Sequence, residues 1–354
     1  NYSYGRYPDG SEDKFYFSQP TRQASNNTVQ ILNGQTLPPI LSKKGGFYNT
    51  SVTVEVTDLN PNVKVYYTVD GSEPTESSYL YTQPLFIEKI TVLRFRSFQE
   101  GKIPSNIITN TYFVKSRDFK LPVVSINTDN KNLFDNKIGI YVEGTNGISG
   151  NCYGNANWNQ DWERSANIEL FDLNKNEQIN QIVGIKIAGG CSRTFPQKSF
   201  KIYSRSKYGK GRMHYKFFKE RDFNEYNSLL LRNGGNDYEN TIFRDAFFQR
   251  LTDRNMNIDH QCFQPVSTFI NSTYFGIYTL YERSGTDLIE AMYGLSEDEI
   301  DMVDWAGNAL NGNANDYQNL LNYINTNSLT ENSNYNFVSA QIDVNEYIDY
   351  LIFQ

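Results

Sequence analysis

The sequence predicts an α+β protein in which a strand-rich first part precedes a helical part. Short runs of alternating apolar and polar residues, separated by turn residues, occupy most of the chain up to Tyr281. Beyond that point apolar residues recur at helical spacing, as at Tyr317, Leu320, Leu321 and Ile324. The length of 354 residues corresponds to two or three domains.

The composition predicts folded cores and excludes several classes of protein. Hydrophobic residues make up 38% and aromatic residues 15% of the chain, which excludes wholesale disorder. No apolar run approaches the roughly 18 residues of a transmembrane helix, so no membrane span is expected. Nucleic acid is not expected as a partner, because the net charge is −7 and basic stretches such as Arg205–Arg212 are short.

The two His and three Cys residues limit metal and nucleophile chemistry. Neither CxxC nor HExxH spacing occurs, so a zinc site is not expected. No GxSxG motif occurs, and neither His stands beside a candidate nucleophile. Cys152, Cys191 and Cys262 are far apart in sequence. They leave one disulfide or isolated buried thiols open, and isolated thiols are the favoured interpretation.

The first 115 residues contain two strand-rich segments. Residues 1–30 are polar and turn-rich, with one strand expected over Asp13–Ser18, and are too short to form a domain. Residues 38–115 contain alternating runs such as Val63–Val69 and Leu93–Phe98. Short alternating strands between turns at this spacing predict a small antiparallel β-sandwich.

A second region begins near Pro122, and its strands precede its helices. The expected strands are Leu121–Ile126, Ile138–Val142, Ile168–Asp172, Ile182–Ala188, Ser199–Tyr203, Val266–Ile270 and Gly276–Tyr281. A helix is expected over Ile242–Leu251, because Phe243, Phe247 and Leu251 would share one face. The Asn-rich stretch Asn308–Asn315 is expected to be a loop or a low-order insertion.

The last residues predict a helix that needs a packing partner. Asp343 and Glu346 have the spacing of an N-cap and its third helical residue. The apolar residues that follow form one stripe: Val344, Ile348, Leu351 and Ile352. We expect a partner for this stripe to follow Gln354. The missing Met and signal peptide likewise suggest that residue 1 is an interior point of a longer precursor.

The densest group of chemistry-bearing residues lies in a segment of strand, glycine-containing loop and strand. Its candidate phosphate ligands are Gly189, Gly190, Ser192, Arg193 and Lys198. The glycines permit close approach of the backbone, the serine and arginine can donate to an anion, and the lysine stands beside the loop. Backbone N–H groups with a fixed cation are the chemistry of a phosphate cradle. Because GxxxxGK[ST] and GxGxxG spacing are absent, an ordinary β-hairpin corner is the alternative interpretation.

Two further features carry weaker signals. Leu231–Tyr238 is a second glycine loop that precedes a helix, whose N-terminus favours anions. The alternative is a structural turn capped by Asn240 or Thr241. Trp158 and Trp162 have the chemistry of a sugar platform, although a place in the buried core or in a hydrophobic lid is the favoured interpretation.

These motifs resemble the CotH family, bacterial proteins named for a spore-coat protein and built on an atypical protein-kinase-like fold. The resemblance covers residues 120–354 and rests on four ordered runs: Trp162–Asp172, Gly184–Lys198, Leu231–Tyr238 with Phe243–Asp245, and Phe269–Glu282. It implies ATP-dependent phosphorylation of an unidentified protein substrate, with Mg²⁺ or Mn²⁺. The five loop residues would then contact the nucleotide phosphates, and Glu282 would lie near the hinge that holds adenine. Cys191 departs from the small or Asn-like residue expected in this loop.

The preceding segments resemble accessory modules. Residues 38–115 resemble the chitobiase/hexosaminidase C-terminal type of Ig-like sandwich, through Val65–Pro74 and Gly101–Ser105. Tyr4–Gly10 and Gln19–Thr21 resemble the tail of a lamin-tail-type domain, to which residues 1–30 are assigned.

The resemblance also implies where catalytic residues would stand. In the family a catalytic Asp and the metal-binding Asn and Asp follow the helix that begins here at Val344, and no matching pair follows Tyr347. We therefore assign no catalytic or metal-binding residue, expect these groups beyond Gln354, and expect the kinase-like domain to be incomplete. The predicted protein is an extracellular or cell-envelope kinase. The alternative is a non-catalytic surface scaffold or carbohydrate-binding protein that contacts cell-surface glycans.

Overall fold

The computed structural model describes residues 2–58, 60–150, 152, 154–256 and 258–353. The first strands are β1 (Ser3–Arg6), β2 (Lys14–Phe17), β3 (Ile31–Leu32), β4 (Gly46–Tyr48), β5 (Val52–Val54), β6 (Lys64–Thr68), β7 (Tyr79–Leu80), β8 (Leu85–Ile87), β9 (Thr91–Phe98) and β10 (Ile108–Val114). The next elements are β11 (Val123–Asn127), α1 (Asn130–Phe134), β12 (Ile148–Ser149), β13 (Asn155–Ala156), β14 (Arg164–Phe171), β15 (Glu177–Ala188), β16 (Ser199–Tyr203), β17 (Met213–His214), β18 (Glu225–Tyr226) and β19 (Ser228–Arg232). The last elements are α2 (Arg244–Asn255), β20 (Phe263–Ile270), β21 (Thr273–Glu282), α3 (Thr286–Tyr293), β22 (Met302–Val303), β23 (Ala309–Asn311), α4 (Asn315–Thr326), α5 (Asn332–Ser339) and α6 (Val344–Phe353). This order confirms the predicted α+β class.

The chain divides into two compact units. Unit 1 consists of Asn1–Lys186 and Val266–Ile277, and unit 2 consists of Ile187–Pro265 and Tyr278–Gln354. Strands β15, β20 and β21 therefore contribute residues to both units. None of the helices in the described part of the chain is long and apolar enough to cross a membrane.

Unit 1 begins with three sheets. Strands β1, β2 and β3 form a three-stranded sheet in that order. Strands β4, β10, β9, β6 and β7 then form a five-stranded sheet, and β5 pairs with β8. Residues from both of these later sheets share one core, because the alternating pattern turns Val52 and Val54 inward and leaves Thr53 exposed. The strands predicted within residues 38–115 are confirmed in this way. The expectation of purely antiparallel pairing is wrong, because β4 pairs in parallel with β10.

A further sheet of unit 1 follows the sandwich-like region. Strand β11 pairs in parallel with β20 and antiparallel with β14, which pairs with β15. An aromatic cluster joins β10 of the preceding region to this sheet through Phe113, Phe171 and Phe269. The stacked rings of Phe47 and Phe113, 4.5 Å apart, extend the cluster. Residues 38–115 thus bury part of their apolar surface against residues that follow them.

A buried carboxyl group also lies where these two regions of unit 1 meet. Glu169 on β14 is 0% exposed and accepts a hydrogen bond from the backbone N–H of Thr111 at 2.8 Å. Asn127 Nδ2 donates to the same carboxyl group at 2.8 Å, and the Thr111 hydroxyl also contacts it. The Thr111 and Ser125 hydroxyls are 2.9 Å apart, which closes the network.

Unit 2 is built on the order β16, β19, β21, with both pairs antiparallel. The hairpins β17–β18 and β22–β23 and the helices from α2 onward complete it. The helix predicted at Ile242–Leu251 is present as α2, but Phe243, Phe247 and Leu251 are exposed. The stripe on α6 is equally exposed at Ile348, Leu351 and Ile352. Asp343 accepts the backbone N–H groups of Asn345 and Glu346, which confirms the predicted cap.

Several other expectations from the sequence are wrong. Residues 138–142 form no strand, because Ile140 and Tyr141 donate back to the carbonyls of Asn132 and Leu133 and fold this segment onto α1. The stretch Asn308–Asn315 is not all loop, since it includes β23, paired with β22. Cys152 and Cys191 are disulfide-bonded, and Cys262 is a buried cysteine outside any disulfide. The sequence left one disulfide open but did not favour it, because the three cysteines are far apart along the chain.

Candidate functional site

The first glycine loop joins β15 to β16 within unit 2. Cys191–Thr194 forms a single 3-10 turn, in which Arg193 N–H donates to the Gly190 carbonyl at 3.2 Å. Gly189 has a φ of +102°, and a Cβ there would overlap the Ser192 hydroxyl. Glycine is therefore required at this position both for its backbone conformation and for the close approach of Ser192.

Lys198 supports this loop from inside. Its side chain is 4% exposed, and its Nζ donates to the carbonyls of Arg193 at 2.5 Å and Phe195 at 2.9 Å. The ammonium group thus fixes the loop backbone and places a positive charge directly against it. A direct bond from Lys198 to a nucleotide phosphate stays a prediction.

Arg193 supplies a second cation in the same turn. Its side chain is half-buried, and burial lowers the pKa of its guanidinium. Ser192 is buried at the same turn, whereas Gly189 and Gly190 are exposed. The five predicted phosphate ligands therefore lie within one short loop, with the glycine backbone on its accessible side.

The second glycine loop is tied to the first by Asn233, which is 0% exposed. Its Nδ2 donates to the Gln197 carbonyl at 2.6 Å, and its Oδ1 accepts from the Ser199 hydroxyl at 2.8 Å and from Gly235 N–H at 2.9 Å. The Asn233 N–H also donates to the Ser199 hydroxyl at 3.0 Å. Asn233 thus holds both loops at the ends of the paired strands β16 and β19.

Aromatic and charged contacts complete the second loop. The rings of Phe195 and Tyr238 stack at 4.8 Å across the two loops. Asp237 accepts the backbone N–H groups of Thr241 at 3.3 Å and Arg244 at 3.0 Å, and also contacts the Thr241 hydroxyl. The hydroxyl bond is the main reason that the pKa of Asp237 is lowered.

The start of α2 is therefore held by Asp237. The expectation of a cap from Asn240 or Thr241 is wrong, because the carboxylate reaches the helix N–H group of Arg244 from seven residues away. The backbone N–H group of Arg244 is therefore already hydrogen-bonded to the Asp237 carboxylate. The sequence analysis had considered such N–H groups at the start of this helix as donors to an anion. In addition, Arg232 and Asp245 form an ion pair at 2.5 Å, which ties the end of β19 to α2.

Glu282 lies at the end of β21 and is 1% exposed. Its carboxylate accepts from Arg221 Nε at 2.9 Å and from Cys262 N–H at 2.7 Å. Its backbone N–H donates to the Cys262 carbonyl, and its own carbonyl accepts from Gln261 Nε2. The carboxylate and the backbone groups of Glu282 thus all form hydrogen bonds within unit 2. The adenine contact that the family resemblance implies for Glu282 stays a prediction.

The guanidinium of Arg221 carries the counter-charge. Burial lowers its pKa, but the hydrogen bonds and charge of Glu282 together outweigh burial, and the net shift is upward. Arg221 also donates to the His260 carbonyl at 2.8 Å. Sequence reasoning missed this pair, because Arg221 and Glu282 are 61 residues apart.

Two other predicted features have a place in the structure. Trp158 is buried, as favoured from the sequence, and the Arg164 guanidinium lies 4.8 Å from the ring of Trp162. Across residues 2–58, 60–150, 152, 154–256 and 258–353, no three His, Cys, Asp or Glu side chains group closely enough to hold a metal ion.

Two segments of the chain match models of known protein families. No curated protein matches the chain. Residues 43–109 match the family model of the chitobiase/beta-hexosaminidase C-terminal domain. Residues 185–354, which contain both glycine loops, Glu282 and the helices that follow, match the family model of the CotH kinase protein, and the resemblance drawn from the motifs is thereby confirmed.

Proposed function

We propose that unit 2 binds the phosphates of ATP at the Gly189–Lys198 loop and belongs to an atypical, kinase-like protein that phosphorylates other proteins. The family match of residues 185–354 supports the kinase-like part of this proposal. The arrangement of the two glycine loops supports the phosphate site. The loops hold the turn that carries the cations Arg193 and Lys198 at the ends of the paired strands β16 and β19.

The carrying observation is the rigid support of this loop. Asn233 holds Gln197 and Ser199, while Lys198 holds the carbonyls of Arg193 and Phe195. A phosphate-binding loop must present donors without reorganising, since ordering it on binding would cost free energy. The hydrogen bonds of Asn233 and Lys198 provide this order before a ligand arrives.

Each predicted ligand has a distinct role in the proposal. The backbone at Gly189 and Gly190 lets a phosphate approach closely, and Ser192 and Arg193 donate to its oxygens. Lys198 adds positive charge beneath the loop. Mg²⁺ or Mn²⁺, when bound with the nucleotide, would neutralise charge on the phosphates. The residues that would hold this metal, and the catalytic Asp, are proposed from the family resemblance to lie beyond Gln354.

Titration calorimetry with ATP and Mg²⁺ tests the phosphate site. Arg193→Gln and Lys198→Ala should each weaken binding about 10- to 100-fold, because a charge-assisted contact contributes roughly 1.5–3 kcal/mol. Lys210→Ala is the matched control, since Lys210 is an exposed lysine of the same unit. An unchanged dissociation constant in both folded loop variants would refute the site.

A transfer assay with radiolabelled ATP tests the assignment of catalytic residues. Because none is assigned within the chain, we expect it to bind nucleotide without phosphorylating a protein. Label on any protein substrate that depends on this chain would show that its own residues suffice.

We further propose that the protein acts outside the cytosol, in the cell envelope or medium of a bacterium. The disulfide state of Cys152 and Cys191 supports this, because disulfides persist in oxidising compartments. Finding Cys152 and Cys191 as free thiols in protein taken directly from its native cells would contradict it.

A further inference from the structure

A groove of unit 2 carries cations that the proposed phosphate site does not use. It runs between the Tyr215–Glu220 loop, Arg250 of α2 and the start of β20 at Phe263. We propose that this groove binds an acidic segment of a protein partner.

The Tyr215–Glu220 loop is a rigid edge of the groove. Its ends are held by the β17–β18 hairpin, and Tyr215 N–H donates to the Asn224 carbonyl at 2.8 Å. Phe217 and Phe218 are buried, and their rings contact the ring of Tyr226 at 5.2 and 5.8 Å. The loop thus has two aromatic anchors and one fixed conformation.

The burial of this aromatic pair decides where the lysines stand. Lys216 and Lys219 flank the two anchors in sequence, and both are exposed along the groove. Within the described residues neither lysine has an ion-pair partner. Two ammonium groups without an ion-pair partner among the described residues therefore belong to exposed side chains of one loop, whose backbone is anchored by Phe217 and Phe218.

The opposite side adds a third cation on an aromatic surface. The Arg250 guanidinium lies 5.3 Å from the ring centre of Phe263 and forms an ion pair with Glu220 at 2.9 Å. The groove thus has three cations and one carboxylate in a protein of net charge −7. This local reversal of charge favours an anionic partner.

The form of the groove favours a peptide among anionic partners. Half-buried rings of Tyr215 and Phe263 lie between its cations, so apolar side chains of a ligand can pack there while carboxylates reach the lysines. A long polyanion would also meet the negative charge of the rest of the chain, whereas a short acidic segment would not.

Fluorescence anisotropy with a labelled short peptide of glutamates, one tyrosine and one leucine tests the proposal. We expect binding at low ionic strength that weakens on going to about 0.15 M salt, because exposed ion pairs are screened. The double variant Lys216→Glu with Lys219→Glu should weaken binding roughly tenfold or more, since each exposed pair contributes about 0.2–1 kcal/mol and reversal adds repulsion. The single variant Lys216→Glu should weaken binding less than the double variant, and Lys210→Glu, an equal change of charge at an exposed lysine outside the groove, should bind like the unmodified protein.

A variant with the opposite effect separates loss of binding from loss of folding. Glu220→Gln removes the groove's carboxylate and releases Arg250 from its ion pair, so binding should tighten a few-fold. Equal weakening by Lys210→Glu, or equal binding of a peptide with glutamine in place of glutamate, would overturn the proposal. So would equal displacement of the peptide by heparin at matched charge, which would indicate a non-specific anion surface. The assay contains no ATP, so its outcome is independent of the proposed phosphate site.

Discussion

Replacing the buried Glu169 by glutamine is expected to change how the stability of unit 1 depends on pH. Burial is the main cause that raises the pKa of Glu169 to about 8, against an ordinary value of 4.5. The hydrogen bonds from Thr111 and Asn127 act in the opposite direction but do not outweigh burial. The folded protein therefore keeps a proton on this carboxyl group at neutral pH.

The sign and size of the effect follow from this shift. Between about pH 4.5 and 8 the unfolded chain loses the proton and the folded chain retains it, so the free energy of unfolding falls as pH rises. One group contributes about 1.4 kcal/mol per pH unit, which makes roughly 3 kcal/mol by pH 7 and 4–5 kcal/mol by pH 8. Below pH 4.5 both states are protonated and the contribution is complete.

Replacing Glu169 by glutamine removes the titrating carboxyl group but also removes one buried hydrogen bond. Its carbonyl can still accept from Thr111 N–H, and its amide can donate to the Thr111 hydroxyl. The amide cannot accept the hydrogen bond from Asn127 Nδ2 that Glu169 accepts at 2.8 Å, and we expect a loss of about 1 kcal/mol. Glu169→Gln should therefore be less stable than the unmodified protein near pH 4.5 and more stable at pH 8, with equal stability between about pH 5 and 6.

Thermal unfolding followed by calorimetry at constant ionic strength measures this crossing. For a unit of this size 1 kcal/mol corresponds to about 2–4 °C in Tm, so the variant should unfold at least about 6 °C higher at pH 8. Glu55→Gln is the control, because Glu55 is an exposed glutamate of the same unit. Glu177 titrates in both proteins, since partial desolvation of its exposed side chain also raises its pKa. Parallel pH profiles for Glu169→Gln and the unmodified protein would refute the reasoning.

Four further changes test particular contacts. Asn233→Ala should lower the unfolding free energy of unit 2 by about 2–3 kcal/mol, because Gln197 and Gly235 lose their buried partner; a Tm equal to that of the unmodified protein would contradict this. Gly189→Ala should lower Tm through its positive φ and its overlap with Ser192, and adding Ser192→Ala should recover part of the loss; no recovery would show that overlap is not a cause. Arg221→Met should cost about 3–5 kcal/mol by leaving Glu282 buried and unpaired, and combining it with Glu282→Gln should cost less than the two changes summed; additive losses in a double-mutant cycle would deny the coupling. Alkylation in denaturant should modify Cys262 alone before reduction and all three cysteines afterwards, as read by mass spectrometry; three modified cysteines before reduction would disprove the disulfide.

The local parts of this fold could be predicted from the sequence. The alternation of Val52, Thr53 and Val54 predicts a strand with one buried face, and the structure buries the two valines. Asn271 and Ser272 predict the turn between β20 and β21, and both adopt positive φ values there. Asp343 likewise predicts the start of α6. These features depend on side-chain periodicity and on hydrogen bonds between residues close in sequence, so the pattern alone contains them.

The sequence alone thus determined the α+β class, the two family segments and the loop that carries the candidate phosphate ligands. Only the tertiary structure decided that Asn233 joins this loop to the second glycine loop and that Glu282 pairs with Arg221. It also placed Glu169 beside Thr111, 58 residues away, and left the apolar stripe of α2 exposed. Such contacts join residues that are distant along the chain, and each depends on which strands lie side by side. The degree of burial then determines the protonation state and the hydrogen-bond partners of each group. Neither periodicity nor motif spacing contains that information.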